Sequence, residues 1–290
     1  MSNFGPLVTT TWLAANIGAA DLKIVDGSWR MPGNGAAIDN YHKAHLPGAV
    51  FFDIDAVAAR ETDLPHMLPL PEAFAAAVSA MGISNSDRVV VYDEEGLFSA
   101  ARVWWTFRAM GHENIAVLDG GLPKWRAEAR PLTDELAPIE PGRFEADMQP
   151  RWIAGADAVR RALASGEAVL DARPADRFAG AAPEPREGLR SGHMPGAKSL
   201  PFASLIADNG TLRPRDDLAA TFATLGVSAS TDVITSCGSG VTAAVLSLAL
   251  EVIGNQSHAL YDGSWSEWGD TRHDNAVFPV VVDDKDGRPD

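Results

Sequence analysis

Short apolar runs without polar alternation punctuate this chain, and longer stretches with helical spacing separate them. Val89-Val90-Val91 is the clearest run. Three β-branched residues in succession read as a strand buried on both faces. The same reading predicts strands over 22–25, 89–92 and 116–118 in the first half, and over 168–170, 233–235 and 259–261 in the second. Between them the spacing predicts helices over 71–81, 99–110, 154–165, 214–225 and 241–252. Strands alternating with helices imply an α/β fold, a mainly parallel sheet flanked by helices in each half. In such sheets ligands bind beyond the carboxyl ends of the strands.

The pattern occurs twice. Val25-Asp26-Gly27 matches Leu170-Asp171-Ala172, and His45-Leu46-Pro47-Gly48-Ala49 returns as His193-Met194-Pro195-Gly196-Ala197. Leu118-Asp119-Gly120-Gly121-Leu122 with Trp125 returns as Tyr261-Asp262-Gly263-Ser264-Trp265 with Trp268. Three matches in one order, 143 to 148 residues apart, predict two homologous domains of similar size. Pro138, Pro141, Gly142 and Pro150 lie in an aperiodic stretch and mark the junction. The expected division is 1–143, 150–278 and a tail at 279–290, whose Asp283-Asp284-Lys285-Asp286-Gly287 suggests a frayed end.

Composition narrows the chemistry. The 290 residues carry 24 basic and 39 acidic side chains, a formal charge of −15, which disfavours a nucleic-acid partner. An anionic substrate would need a local basic pocket on such a surface. The beginning of the chain shows no basic patch followed by an apolar run, and the most apolar stretch, 241–254, is too short to span a bilayer. The expectation is therefore a protein with no signal peptide and no membrane partner. One cysteine excludes an intrachain disulfide and a multi-cysteine zinc site, and fits a reducing compartment such as the cytoplasm. The histidines show no HExxH or paired spacing, and the Gly-Ser-Gly at 238–240 lacks the third glycine of a dinucleotide fingerprint. No metal and no cofactor is expected.

That cysteine, Cys237, lies in Ser236-Cys237-Gly238-Ser239-Gly240-Val241-Thr242-Ala243, between a strand end and a helix start. Amide N–H groups of such a turn converge on a point, and the helix dipole adds positive potential, which favours an anionic sulfur. The thiolate is the nucleophilic form. A lone intracellular cysteine is also commonly a small buried hydrophobe. The glycines that follow argue for the functional reading, since a core strand has little need of so flexible a continuation. The repeat supplies a control: Asp93, in Tyr92-Asp93-Glu94-Glu95-Gly96, stands where Cys237 does. The first half keeps the loop and lacks the nucleophile.

Together the HLPGA and HMPGA segments, the duplicated DGG/DGS-W motif and a cysteine loop in the second half only resemble the tandem-rhodanese sulfurtransferases, over nearly the whole chain. The loop from Cys237 to Thr242 resembles the branch that uses 3-mercaptopyruvate. The thiosulfate branch typically has Arg and Lys where this chain has Gly238 and Ser239. The resemblance implies that Cys237 takes the donor's sulfur as a persulfide, releases pyruvate, and passes the sulfur to cyanide or a thiol such as thioredoxin or glutathione. It implies that Arg177 and Arg186 bind the donor carboxylate, for which guanidinium forks are suited. It implies that N–H groups of Gly238, Gly240, Val241 and Thr242 line the anion site, and that Ser239 works with His45 across the domain interface. His45 would protonate the leaving enolate, with Asp39 a weaker candidate to orient it. His193 in the same motif offers the competing reading, a fold-holding histidine; both roles stay open for His45, and His193 reads as structural. Arg190 is a further, weaker arginine candidate. Trp104, Trp105, Trp265 and Trp268 read as packing residues.

Of three other readings the first is excluded and two stand beside this one. A tyrosine-phosphatase loop needs an arginine at position 243, which is Ala243. A thiosulfate sulfurtransferase would share fold and nucleophile. A non-catalytic sulfur-carrier or interaction module would carry an inert thiol.

Overall fold

The computed structural model describes residues 5–283. The chain divides into two compact units. The first runs from the N-terminal end to Glu61 and takes in Leu68–Pro150 and Ile206–Arg213. The second comprises Thr62–Met67, Arg151–Leu205 and the chain from Pro214 onward.

The first unit holds β1 (Leu7–Val8), β2 (Leu22–Asp26), β3 (Ala49–Phe51), β4 (Arg88–Tyr92) and β5 (Ile115–Leu118). They form one parallel sheet in the order β1-β5-β4-β2-β3. The second unit holds β6 (Ile153–Ala154), β7 (Ala168–Asp171), β8 (Lys198–Ser199), β9 (Val233–Ser236) and β10 (His258–Tyr261). Their order, β6-β10-β9-β7-β8, is the same topology. Residues 89–92 of β4 are fully buried, as their unbroken apolar run requires. All six expected strands form. The four not anticipated are β1, β3, β6 and β8, two or three residues each, too short to show a period.

The expected helices form at Pro71–Ala80, Ala100–Ala109, Ala156–Ser165, Arg215–Thr224 and Ala243–Ile253. Ala243–Ile253 follows β9 and is buried almost throughout, so its hydrophobicity belongs to a core helix rather than a membrane span. No helix among the described residues is long and apolar enough to cross a membrane.

Two features differ from the sequence expectation. Thr62–Met67 belongs with the second unit and Ile206–Arg213 with the first, although their positions in the chain suggest the reverse. Both are loop segments without strand partners in the sheets, placed by side-chain and loop contacts; Leu212 N–H, for example, donates to Asp119 Oδ1 at 2.8 Å. The tail also begins later than expected. Trp268 Nε1 donates to Pro279 O at 2.8 Å, Val281 pairs antiparallel with His193, and Asp283 N–H reaches Ala179 O at 3.1 Å. Backbone groups that find partners do not fray. The rest of the predicted tail, 284–290, lies outside the described residues.

Candidate active site

The loop after β4 shows what this turn is built to hold. Its Asp93 is fully buried. Asp93 Oδ1 accepts from the N–H groups of Glu95 (2.9 Å) and Gly96 (2.6 Å). Asp93 Oδ2 accepts from Phe98 (2.9 Å), Ser99 (2.9 Å) and Ala100 (2.7 Å), at the start of the helix Ala100–Ala109. Five amides therefore close on one carboxylate. The positive end of the helix adds to their attraction. The turn is an anion cradle, filled in the first unit by the chain's own side chain.

Cys237 occupies the corresponding place in the second unit, directly after β9. It is 2% exposed, a free thiol, and Ser239 beside it is buried as well. Gly240 adopts φ +78°, the left-handed turn that lets the chain double back into the helix Ala243–Ile253. Thr242 precedes that helix and makes no side-chain cap bond. No carboxylate stands at the Asp93 position of this loop.

The repeated DGG/DGS-W motif clamps each loop from below. In the first unit Leu122 N–H donates to Asp93 O at 3.0 Å. In the second, Trp265 N–H donates to Cys237 O at 2.9 Å, and Ser266 N–H to Gly238 O at 2.9 Å. Ser266 Oγ adds a bond to Gly238 O at 2.7 Å. Ser264 has φ +48°, a region that disfavours side chains, where the first unit has Gly121 at φ +51°. Its hydroxyl accounts for the exception: Ser264 Oγ accepts from Cys237 N–H at 3.2 Å and donates to Tyr261 O at 2.8 Å. Sequence reading missed this residue. The departure from Gly-Gly to Gly-Ser between the repeats was the available signal. Trp265 and Trp268 are buried in the core of the second unit, in line with the packing role expected of them.

The two arginines expected at the donor carboxylate are both in this unit. A Cβ added to Gly238 would lie 3.2 Å from Arg177 Nη2, so Arg177 reaches the cysteine loop itself. Arg177 pairs with Glu184, and its Nε has no hydrogen-bond partner among the described residues. Glu184 also takes Arg173 Nη1 at 2.7 Å. Arg173 in turn grips Asp171 through Nε and Nη2, at 2.9 and 2.8 Å to Oδ2, and lies 4.0 Å over the Trp265 ring. Burial works against the charge on Arg173, but Asp171 and Glu184 outweigh it and its pKa rises.

Arg186 lines a cavity of about 250 Å³ with Asp63, Ser266, Asp270 and Arg272. Its Nη2 lies 3.2 Å from His66 Nε2. His66 is buried and held at φ +63°. In the sequence His66 stands in no HExxH or paired spacing that would single it out. Only the placement of Thr62–Met67 in this unit brings it to Arg186. Arg190 has another task, with Nη2 on Trp268 O at 2.6 Å and Nη1 on Asn275 Oδ1 at 2.9 Å.

His45 lies in the first unit and is fully buried. Its Nδ1 meets Tyr41 O at 2.7 Å and its ring stacks on Tyr41 at 4.1 Å. His193 repeats this cage: Nδ1 on Phe178 O at 3.0 Å, ring on Phe178 at 3.9 Å. The Tyr41 carbonyl, not Asp39, therefore orients the His45 ring, while Nε2 is unpartnered among the described residues.

The rhodanese-like domain family matches residues 9–128 and 155–271, once in each half of the chain. The chain belongs to the rhodanese family. Within that family it is 42% identical to the 3-mercaptopyruvate sulfurtransferase of Escherichia coli (strain K12), over 94% of this chain and 98% of that protein. It is 43% identical to the thiosulfate/3-mercaptopyruvate sulfurtransferase 1 (mitochondrial) of Arabidopsis thaliana, over 92% of this chain and 77% of that one. The crystal structure of the Escherichia coli 3-mercaptopyruvate enzyme SseA superposes with a TM-score of 0.82 at 39% identity, covering 90% of this chain and 99% of that chain. The paired parallel sheets are thus the two rhodanese-like domains of this family.

Proposed function

We propose that this protein transfers the sulfur of 3-mercaptopyruvate through a persulfide on Cys237, releasing pyruvate. The observation that carries the reading is the cradle around Asp93. Five amides stabilise an anion in the first unit, and the second unit presents a cysteine at the same loop position. The relatives named for 3-mercaptopyruvate support the choice of donor.

In the first step the Cys237 thiolate attacks the donor sulfur. The carbon–sulfur bond breaks with its electron pair left on carbon, giving the enolate of pyruvate. The enolate takes the proton of the transferred SH group, and the persulfide remains as Cys237–S–S⁻. Amides of Gly238, Gly240, Val241 and Thr242 stabilise thiolate and persulfide in turn. A thiol such as thioredoxin or glutathione, or cyanide, then takes the outer sulfur and frees the thiolate. Ser239, buried next to the nucleophile, serves the proton relay. Arg177 and Arg186 hold the donor carboxylate. We assign the histidine of the relay to His66 rather than to His45. His66 meets Arg186, whereas His45 shares its carbonyl-bonded, ring-stacked cage with His193, as a fold-holding residue does.

A second donor, thiosulfate, deserves a place because the Arabidopsis relative is named for both. Gly238 argues against it as the main donor. A long side chain there would run into Arg177 Nη2, which lies 3.2 Å from a bare Cβ. The experiment is steady-state sulfur transfer to cyanide with the two donors at equal concentration. A kcat/KM that strongly favours 3-mercaptopyruvate supports the reading. A preference for thiosulfate keeps the fold and the nucleophile but removes the argument from Gly238.

A further inference from the structure

The side chains behind Arg177 form a closed charge cluster that no sequence motif announces. Arg173 and Arg177 bring two positive charges, and Asp171 and Glu184 bring two negative ones. Three of the four are out of water: the side chains of Arg173 and Glu184 are 1% exposed and that of Asp171 is 0% exposed. Glu184 is the junction, with one carboxylate oxygen on each guanidinium. Arg173 cannot drift, since Asp171 Oδ1 and Oδ2, Gly192 O (2.9 Å) and the Trp265 ring all hold it. Glu184, fixed by Arg173, therefore fixes the Nη2 end of Arg177. The Arg177 Nε is buried and has no hydrogen-bond partner among the described residues.

The electrostatic consequence concerns which anion the site accepts. The cluster supplies hydrogen-bond donors beside Gly238 while adding no net charge. On the cavity wall Arg186 and Arg272 face Asp63, Glu187 and Asp270, so the wall adds no positive excess either. A monoanion meets its match in such a site. A dianion gains little more attraction and must give up more hydration. We infer that Glu184 is a specificity-determining residue: it positions Arg177 and cancels its charge, so that the donor site prefers a singly charged carboxylate to a dianion. The inference rests on the proposed use of a carboxylate donor, and adds the reason for its selection.

The test is Glu184→Gln, which keeps the shape and removes the charge. The ratio of kcat/KM for 3-mercaptopyruvate to that for thiosulfate should fall about tenfold or more, because an uncancelled buried charge acts strongly on a dianion. Equal losses on both donors, with the ratio unchanged, would show a structural role only and overturn the inference. A second readout needs no turnover: protection of Cys237 from iodoacetamide by sulfate, a dianion, and by acetate, a monoanion. Glu184→Gln should tighten sulfate protection about tenfold relative to acetate; no relative change overturns the inference. If the parent accepts neither sulfur donor, the proposed function fails while the protection ratio still judges Glu184. Should Glu184→Gln not fold, Arg177→Met and the charge-balanced pair E184Q/R177M decide. Arg177→Met alone should weaken sulfate protection more than acetate protection, and the pair should restore the parental ratio. A pair that behaves like Arg177→Met alone overturns the inference.

Discussion

Trp265 N–H donates to the carbonyl of Cys237 at 2.9 Å, as Leu122 N–H does to the carbonyl of Asp93 at 3.0 Å. The duplicated motif thus has one mechanical task in both units: it holds the floor of the loop that follows the central strand. What differs is the group delivered into the loop, a carboxylate in one and a thiol in the other.

If Cys237 is the nucleophile, Cys237→Ser loses sulfur transfer by about 10³-fold or more, because the hydroxyl is not ionised at neutral pH. Stability should change by no more than about 1 kcal/mol, since Ser fills nearly the same space. Cyanide-acceptor kinetics and urea unfolding check the two halves. Activity comparable to the parent would remove Cys237 from the mechanism.

Ser264 holds Cys237 N–H from a strained backbone. Ser264→Ala should cost about 1–2 kcal/mol, as a buried donor loses its acceptor. Ser264→Gly should cost less, since glycine relieves the φ of +48°. Both should lower kcat by loosening the loop. Thermal unfolding of the two variants side by side measures the order; Gly less stable than Ala would refute the strain argument.

Arg186→Ala should raise KM for 3-mercaptopyruvate about tenfold while sparing a sulfur donor that has no carboxylate. His66→Gln should lower kcat more than it raises KM, if the ring handles a proton. Comparison of the two donors in each variant is the measurement. Equal KM effects on both donors would place Arg186 outside the carboxylate site.

Asp93→Ala leaves five amides without their shared acceptor. The expected loss is about 3 kcal/mol or more, with Asp93→Asn intermediate. Urea unfolding reports it. A loss below about 1 kcal/mol would mean that water satisfies the loop and the cradle is not a strong anion site.

Glu128 gives a pH signature. Lys124, Thr10 and Arg130 all hydrogen-bond its carboxylate, led by Lys124, and lower its pKa from 4.5 to about 2. A carboxyl whose pKa falls on folding stabilises the folded state above its unfolded value and loses that contribution as pH drops. The stability gap between parent and Glu128→Gln should be full at neutral pH and should shrink from pH 4.5 down to about 2. A gap that is constant across this window would contradict the ion network.

The sequence alone determined the α/β class, the duplication, the central strands and the cysteine loop. These rest on local physics: an apolar run such as Val89-Val90-Val91 can only be buried, and a glycine-rich turn between strand and helix points amides at one spot wherever it occurs. The tertiary structure decided the rest. Ser264 matters because of a bond to Cys237, 27 residues away; His66 matters because its segment packs with a unit that begins far along the chain, and meets Arg186 across 120 residues. Glu184 lies in a loop whose sequence shows no period, and its role depends on two guanidiniums brought to it by the ends of other elements. The histidine of the HLPGA motif was legible as a motif, but its neighbour Tyr41, stacked on it, shows the cage it serves. Polar contacts between distant positions leave no periodic trace in a sequence, because each is set by one side chain meeting another only after the hydrophobic elements have packed.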